Sequence, residues 1–397
     1  MTSVTDADAR ELLAGRLVDS VTQAMEALGV YLGVELGLGR ALAEHGPTTG
    51  QDLAGHAGVA ARYAREWLEQ QAVAGYLTCD NPAAPAERRR FRLPAAHAEV
   101  LIDRDSPYFV APLTRALAGL AGVLPELMQA YRSGSGVSYA TYGRETRDGI
   151  AAANRPMFRH DLATTWLPAV LDLHRRLSSA PAPRILGLGC GQGASTVALA
   201  LAYPQATVLG IDLDESSIAG ARTTAAAEGV TDRVSFRVGD AAQLAPADRF
   251  DLVTVFEALH DMGDPVGALR AARARLVEDG SLLIADERVS DTFTAPGEPT
   301  ERFMYGWSIL HCLPATGAED PVEATGTVLR APTLTAWASS AGFPAVDVLD
   351  IDNPFWRFYH PTTDPRPCRQ AGIRPMGRIA HDGREQHADL LMSNGRW

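Results

Sequence analysis

The sequence predicts an α/β chain in which a helical half carrying a winged helix precedes an open, largely parallel sheet. Three observations lead there. Apolar residues recur at three- and four-residue steps through much of the first 180 positions. From Arg184 onward, short apolar runs alternate with helix-length segments, the pattern of βαβ units. A glycine-rich turn joins the first of those runs directly to its helix. The 397 residues suffice for two or three domains with a real core, so a stapled mini-protein is excluded. With 46% apolar and 21% charged residues, a disordered or fibrous chain is excluded as well.

Between Asp6 and about Ala43, residues Leu12, Leu13, Leu17, Val21, Met25 and Leu28 have helical spacing, predicting an amphipathic helix and a second, apolar one. Thr48-Thr49-Gly50-Gln51-Asp52 carries capping residues for a short helix, Gly58 marks a turn, and Ala61 to Ala74 reads as a helix bearing Tyr63, Trp67, Leu68 and Val73. Two helices across a glycine turn form a helix-turn-helix unit, and Tyr76 to Thr78 with Arg90 to Leu93 supplies a hairpin as its wing. Residues 103–177 are helical again, with Gly134, Gly136 and Gly143 in a loop. Ser178 to Pro183, with two prolines, is the expected joint.

Beyond the joint, Arg184 to Leu188, Thr207 to Ile211, Val234 to Val238, Phe250 to Phe256 and Ser281 to Ala285 read as parallel strands. Val346 to Leu349 and Trp356 to Tyr359 would add antiparallel edge strands. The expected organisation is a helical and winged-helix domain over 1–180, a sheet domain over 181–360 with an insertion at 292–330, and a polar tail over 361–397. There is no internal repeat.

The strand Arg184 to Leu188 runs into Gly189-Cys190-Gly191-Gln192-Gly193 and then a helix from about Ala194. Alternate glycines let a ligand approach the backbone, with helix N–H groups pointing at it. Asp212 closes the next strand, 19 residues after Gly193, where a carboxylate accepts from both hydroxyls of a ribose. Gly239-Asp240-Ala241 closes the third strand: Asp240 is placed to accept from an adenine amine and the Ala241 N–H to reach a ring nitrogen.

Over about Arg184 to Tyr359 this ordered set resembles the class I S-adenosylmethionine-dependent methyltransferases, whose Rossmann-like sheet the resemblance implies. It also implies S-adenosylmethionine as cofactor, lying over Gly189, Gly191, Gly193, Asp212 and Asp240, with Leu213, Ala241 and Phe256 among its contacts. Gly187 departs from the pattern, because that family usually carries an acid there to hold the methionine amino group. Leu259-His260-Asp261-Met262-Gly263-Asp264 resembles the His-Asp-x-x-Asp signature of small-molecule O-methyltransferases, in which the histidine is the general base. The same resemblance implies Asp286 as the acid that orients His260, with Glu287 as a substitute; the bland alternative for His260 is a helix cap or a bond to a backbone carbonyl, and Asp261 reads as a structural cap. Imidazole suits proton removal from a phenol or enol near neutral pH.

Phe303, Trp307, Leu310 and His311 share a helical face in the insertion, flanked by Met304 and Tyr305, and read as a wall for a small, largely apolar acceptor or as packing onto the N-terminal half. Met157 and Phe158, near Asn154 and Trp166, lie where related enzymes touch the acceptor. The resemblance further implies a homodimer.

A net charge of −12, from 36 Lys and Arg against 48 Asp and Glu, argues against nucleic acid as the main partner. A transcription regulator would use the wing-tip run Arg88-Arg89-Arg90-Phe91-Arg92, yet Glu66 and Glu69 offset Arg62 and Arg65 on the candidate recognition helix. A nicotinamide-dependent dehydrogenase would fit the glycine spacing and Asp212 but has no use for Asp240 or the His-Asp pair. A methyltransferase fold turned to cyclisation, isomerisation or elimination is the remaining alternative, motivated by Gly187. Neither a basic leader nor an 18-residue apolar run is present, so a cytoplasmic protein with no membrane partner is expected. Cys79, Cys190, Cys312 and Cys368 have no metal-ligand spacing and are expected as reduced thiols, with no metal bound.

Overall fold

The helical spacing of the opening residues is realised as α1 (Asp6–Glu35), α2 (Leu38–His45), α3 (Gly50–Ala57) and α4 (Ala61–Val73). The computed structural model describes residues 6–179, 181–243, 248–319 and 321–363. They fall into two units, one running to Ala121 and including Arg144–Pro156, the other comprising Gly122–Gly143 and the chain from Met157. The division therefore lies upstream of Ser178 to Pro183, which instead marks the start of the sheet. Helices between Met157 and Ser179 bury Leu162, Trp166 and Leu173 in the core of the second unit.

In the first unit Thr49 caps α3 reciprocally: its Oγ1 accepts from the Asp52 N–H at 3.2 Å, and the Asp52 carboxylate accepts from the Thr49 N–H and Oγ1. Gly58, at φ 68°, ends the helix in the left-handed conformation. The wing is a hairpin of β1 (Thr78–Cys79) and β2 (Phe91–Arg92), and Phe91 packs with Leu42, Leu53, Leu68 and Leu77. Each such side chain contributes roughly 1.5–3 kcal/mol on burial. The wing is tied to its surroundings, since Arg65 of α4 pairs with Glu87, Arg89 with Glu69 of α4, and Arg90 donates to the Pro47 carbonyl.

The apolar stripe of α1 is not covered: Leu13 is 67% and Leu17 65% exposed. Its last turns are held, where Trp67 occupies the space beside Gly33 and donates Nε1–H to the Gly29 carbonyl at 2.8 Å. No helix among the described residues is long and apolar enough to cross a membrane.

The second unit is built on a seven-stranded sheet of order β5-β4-β3-β6-β7-β9-β8. β3 (Arg184–Leu188), β4 (Thr207–Asp212), β5 (Val234–Val238), β6 (Phe250–Phe256) and β7 (Leu276–Glu287) are parallel; β8 (Ala345–Leu349) and β9 (Trp356–Thr362) are antiparallel to their neighbours. β9 absorbs Pro361 and Thr362 from the expected tail, and the tail from residue 364 lies outside the described residues. Central strands buried on both faces explain the continuous apolar runs. One face packs Leu186, Val253 and Ile284 with Leu269 and Leu334; the other packs Ile185, Leu252 and Ala285 with an aromatic cluster of Phe158, Trp166, Phe256, Trp356 and Phe358.

Candidate active site

The strand order reverses between β3 and β6, so their carboxyl ends open a crevice of the kind in which ligands bind. Gly189, Gly191 and Gly193 line its start with φ of 64°, 50° and 79°. They are required for different reasons. A Cβ on Gly189 would lie 2.4 Å from the Ala258 Cβ, whereas a Cβ on Gly191 would meet nothing within 4 Å. Gly189 thus serves packing, and the bare side of Gly191 faces open space that a ligand can enter. Gly193 is the N-cap of helix Ala194–Ala202.

Asp212 is fixed by two backbone donors. Its Oδ2 accepts from the Gly191 N–H at 2.8 Å and its Oδ1 from the Asp214 N–H at 2.9 Å, so it also shapes the glycine turn. A carboxylate has about four acceptor positions, and two remain for ligand hydroxyls. Burial pushes its pKa up, against the pull of the two N–H donors. Asp240 is oriented by the Ala242 N–H, and the Gly239 N–H bonds the Asp212 carbonyl, which holds these two carboxylates to one edge. Leu213 is exposed and Ala241 buried beside them.

Phe256 and Phe158 are both buried, stacked at 5.8 Å within the aromatic cluster. Gly187 lies within β3. A Cβ there would sit 3.3 Å from the Thr196 hydroxyl and 3.6 Å from that of Thr254, and Thr196 Oγ1 has no hydrogen-bond partner.

After β6 a single tight turn, Leu259–Asp261, presents His260. Its Nδ1 is 2.9 Å from Asp286 Oδ1, with the two side chains 2% and 0% exposed. Asp286 Oδ1 also accepts the Glu287 N–H at 3.0 Å, which fixes its direction. Burial pulls the His260 pKa down, but the Asp286 and Asp261 carboxylates outweigh it and leave the pKa well above its ordinary 6.5. His260 Nε2 faces Asp261 Oδ1 at 3.5 Å, and Cys312 Sγ lies near both.

The insertion forms helix Pro299–Trp307, continued by a wide π-helical turn, Ser308–Cys312. Such turns displace side chains from regular spacing, and frequently at functional sites. This one buries His311 against Tyr142, ring centres 4.6 Å apart, with Tyr139 and Trp307 packed edge-on at 5.5 and 6.1 Å. Met304 is buried, Phe303 is 42% exposed and meets Trp307 and Phe355, and Met157 lies half-buried at the aromatic cluster. Tyr139, Tyr142, Cys312 and Glu257 are the residues sequence reasoning missed. The tyrosines lie in a loop segment made mostly of glycines and small polar residues, and nothing local marks them.

A family model described as "Methyltransferase domain" matches residues 180–312, and one described as "Rv2258c-like winged HTH domain" matches residues 24–103. The chain is 30% identical over 184 residues to the ubiquinone biosynthesis O-methyltransferase of Pseudomonas aeruginosa, covering 46% of this chain and 73% of that protein. It is 38% identical over 105 residues to an uncharacterised Synechococcus protein, of which it spans only 25%, and these residues make up 26% of this chain. Among solved structures it is similar to mitomycin 7-O-methyltransferase MmcR (TM-score 0.64, 21% identity, covering 89% of this chain and 98% of that one). Human N-acetylserotonin methyltransferase in complex with SAM has a TM-score of 0.64 at 16% identity, covering 92% and 100%. The likeness to these two structures is one of fold.

Proposed function

Since the chain belongs to the S-adenosylmethionine-dependent O-methyltransferases, we propose that it methylates a hydroxyl oxygen of a small, largely apolar acceptor, with His260 as general base. The observation that carries this reading is the buried His260–Asp286 pair. Gly189, Gly191, Gly193, Asp212, Leu213, Asp240 and Ala241 would hold the cofactor; the open space beside Gly191 and the spare acceptor capacity of Asp212 fit it. When bound, S-adenosylmethionine supplies an electrophilic methyl group on a sulfonium.

The protein's part is proton chemistry and exclusion of water. Asp286 accepts a hydrogen bond from the Nδ1–H, so the neutral imidazole presents Nε2 as acceptor for the hydroxyl proton of the substrate. The resulting imidazolium lies between carboxylates that stabilise it. Trp307, His311, Phe303 and Met157 are the candidate acceptor contacts, and their apolar surfaces support a small aromatic or polyketide-like substrate held in a dry site.

The base works only when neutral, so activity must rise with pH as His260 loses its proton. The acidic limb of the kcat/KM profile is expected above pH 6.5, because the folded-state pKa is raised above that value. A limb below pH 6, or none, would remove His260 from the role.

Gly187 favours the second reading, a methyltransferase fold turned to a non-methylating reaction. In an ordinary donor site Gly187→Asp should tighten cofactor binding several-fold, since its Cβ enters beside two hydroxyls able to orient a carboxylate. Equilibrium binding of the cofactor to the variant decides; weaker binding favours the second reading.

The exposed apolar face of α1 supports a homodimer. Leu13→Glu with Leu17→Glu should yield a folded monomer by sedimentation velocity, and a wild type that already sediments as a monomer would contradict the dimer.

A further inference from the structure

The linear spacing of the cysteines shows no metal motif, yet the fold brings one of them to the base. His260 Nε2, Asp261 Oδ1 and Cys312 Sγ all lie within 4.8 Å of one another. His260 and Asp261 share the turn after β6, and Cys312 closes the π-helical turn of the insertion. Thr316 ties the two elements together at the backbone: its Oγ1 lies 3.2 Å from the Asp261 carbonyl oxygen and 2.9 Å from that of Cys312. His260 and Cys312 are 2% and 5% exposed, whereas the Asp261 side chain is 32% exposed and gives the cluster a route to solvent.

The three groups have the chemistry and the spacing of a ligand set. Asp261 Oδ1 is a buried oxygen that accepts no hydrogen bond. His260 commits Nδ1 to Asp286 at 2.9 Å, which leaves Nε2 to face Asp261 and Cys312. A carboxylate on the far ring nitrogen is the arrangement that orients metal-binding histidines and raises their basicity. In tetrahedral zinc sites, bonds of about 2.0–2.3 Å to nitrogen, oxygen and sulfur set the ligand atoms about 3.4–3.6 Å apart. His260 Nε2 and Asp261 Oδ1 already stand at 3.5 Å, and Cys312 Sγ has about 1 Å to close at most. A thiolate and a carboxylate balance the charge of a dication. The mixed nitrogen, oxygen and sulfur set favours zinc over magnesium or calcium, which take oxygen ligands.

We infer that His260, Asp261 and Cys312 form a binding site for a zinc-like divalent cation, and that filling the site stops the reaction. The second half rests on the reading of His260 as the base. Coordination uses the Nε2 lone pair that otherwise takes the acceptor proton, so the loaded protein has no base. The Cys312 thiol loses its proton to solvent on binding, and the fourth position of the tetrahedron is left to water.

Cobalt makes such a site visible. Co2+ titrated into the full chain, reduced and stripped of metal by a chelator, should give the visible bands of a four-coordinate ion and a thiolate-to-cobalt charge-transfer band, both saturating at one equivalent. Zn2+ should displace them and excess Mg2+ should not. Cys312→Ser should abolish the charge-transfer band, and Asp286→Asn, which removes the carboxylate behind His260, should weaken Zn2+ binding about 10–100-fold. Should Cys312→Ser fail to fold, Asp261→Asn keeps the test open: the band should remain, with affinity weakened at least about tenfold. A wild type without a cobalt–thiolate band overturns the proposal before any variant is made. So does a band that persists in Cys312→Ser, or Zn2+ affinity that neither Asp261→Asn nor Asp286→Asn changes. Saturating Zn2+ should also lower turnover by about 10²-fold or more, the loss expected when a general base is removed, and a chelator should restore it. If the band behaves as expected but the zinc-loaded protein turns over normally, the metal site stands and the base reading fails.

Discussion

His260→Ala is expected to lower kcat by about 10²–10⁴-fold, the range for loss of a positioned general base, while leaving the Kd for S-adenosylmethionine nearly unchanged. The two effects separate because His260 and the cofactor residues sit on different elements. His260 follows β6 and is held by Asp286 of β7, whereas the glycine turn follows β3 and is held by Asp212 of β4. The substitution also leaves Asp286 buried with its imidazole partner gone, and a buried carboxylate without a partner is costly. Some loss of thermal stability is therefore expected, and turnover is to be measured well below the melting temperature. Single-turnover rates against calorimetric binding check the split. A variant that loses cofactor binding and turnover together would place His260 in the donor site.

Gly189→Ala should have the largest effect on the cofactor site. Two costs add: a side chain at φ 64°, about 1–2 kcal/mol, and a Cβ only 2.4 Å from that of Ala258, for which overpacking costs about 1–3 kcal/mol. The turn has to move, taking the Gly191 N–H away from Asp212. The expected outcome is a melting temperature about 10 °C lower, from 2–4 °C per kcal/mol for a domain of this size, with cofactor affinity weakened at least tenfold. Gly191→Ala is the comparison: its side chain meets no protein atom within 4 Å, so it should spend the conformational term alone on stability yet still obstruct the ligand. Differential scanning calorimetry and equilibrium binding on the two variants read out the contrast. Equal melting temperatures would mean that Ala258 yields and the packing argument is wrong.

Much of the second unit is legible in the sequence because its central strands are buried on both faces and so read as unbroken apolar runs, and four strands reach the crevice at recognisable residues: Leu188 before the glycines, Asp212, Val238 before Gly239-Asp240, and Asp286. The capped start of α3 is legible for a local reason too, since a capping box needs only four consecutive residues. What escapes depends on distant partners. Phe158 and Phe256 look like any apolar residues near a site, and only their stacking on Trp166 and Trp356 places them in the core. Periodicity marks α1 as having an apolar face but says nothing of what covers Leu13 and Leu17. The prolines near 180 announce a change of secondary structure, while the boundary between units is set by contacts that the linear chain does not display. A left-handed glutamate at 257 has no signature at all, because its conformation is imposed by the strand ends around it.

The central claim is most directly tested by mass spectrometry of a reaction with S-adenosylmethionine carrying a deuterated methyl group, using an acceptor found in a screen of small phenols and enols. The account predicts an acceptor heavier by one labelled methyl on oxygen, with one S-adenosylhomocysteine formed per product. An acceptor that is cyclised, isomerised or shortened while the donor stays intact would contradict it.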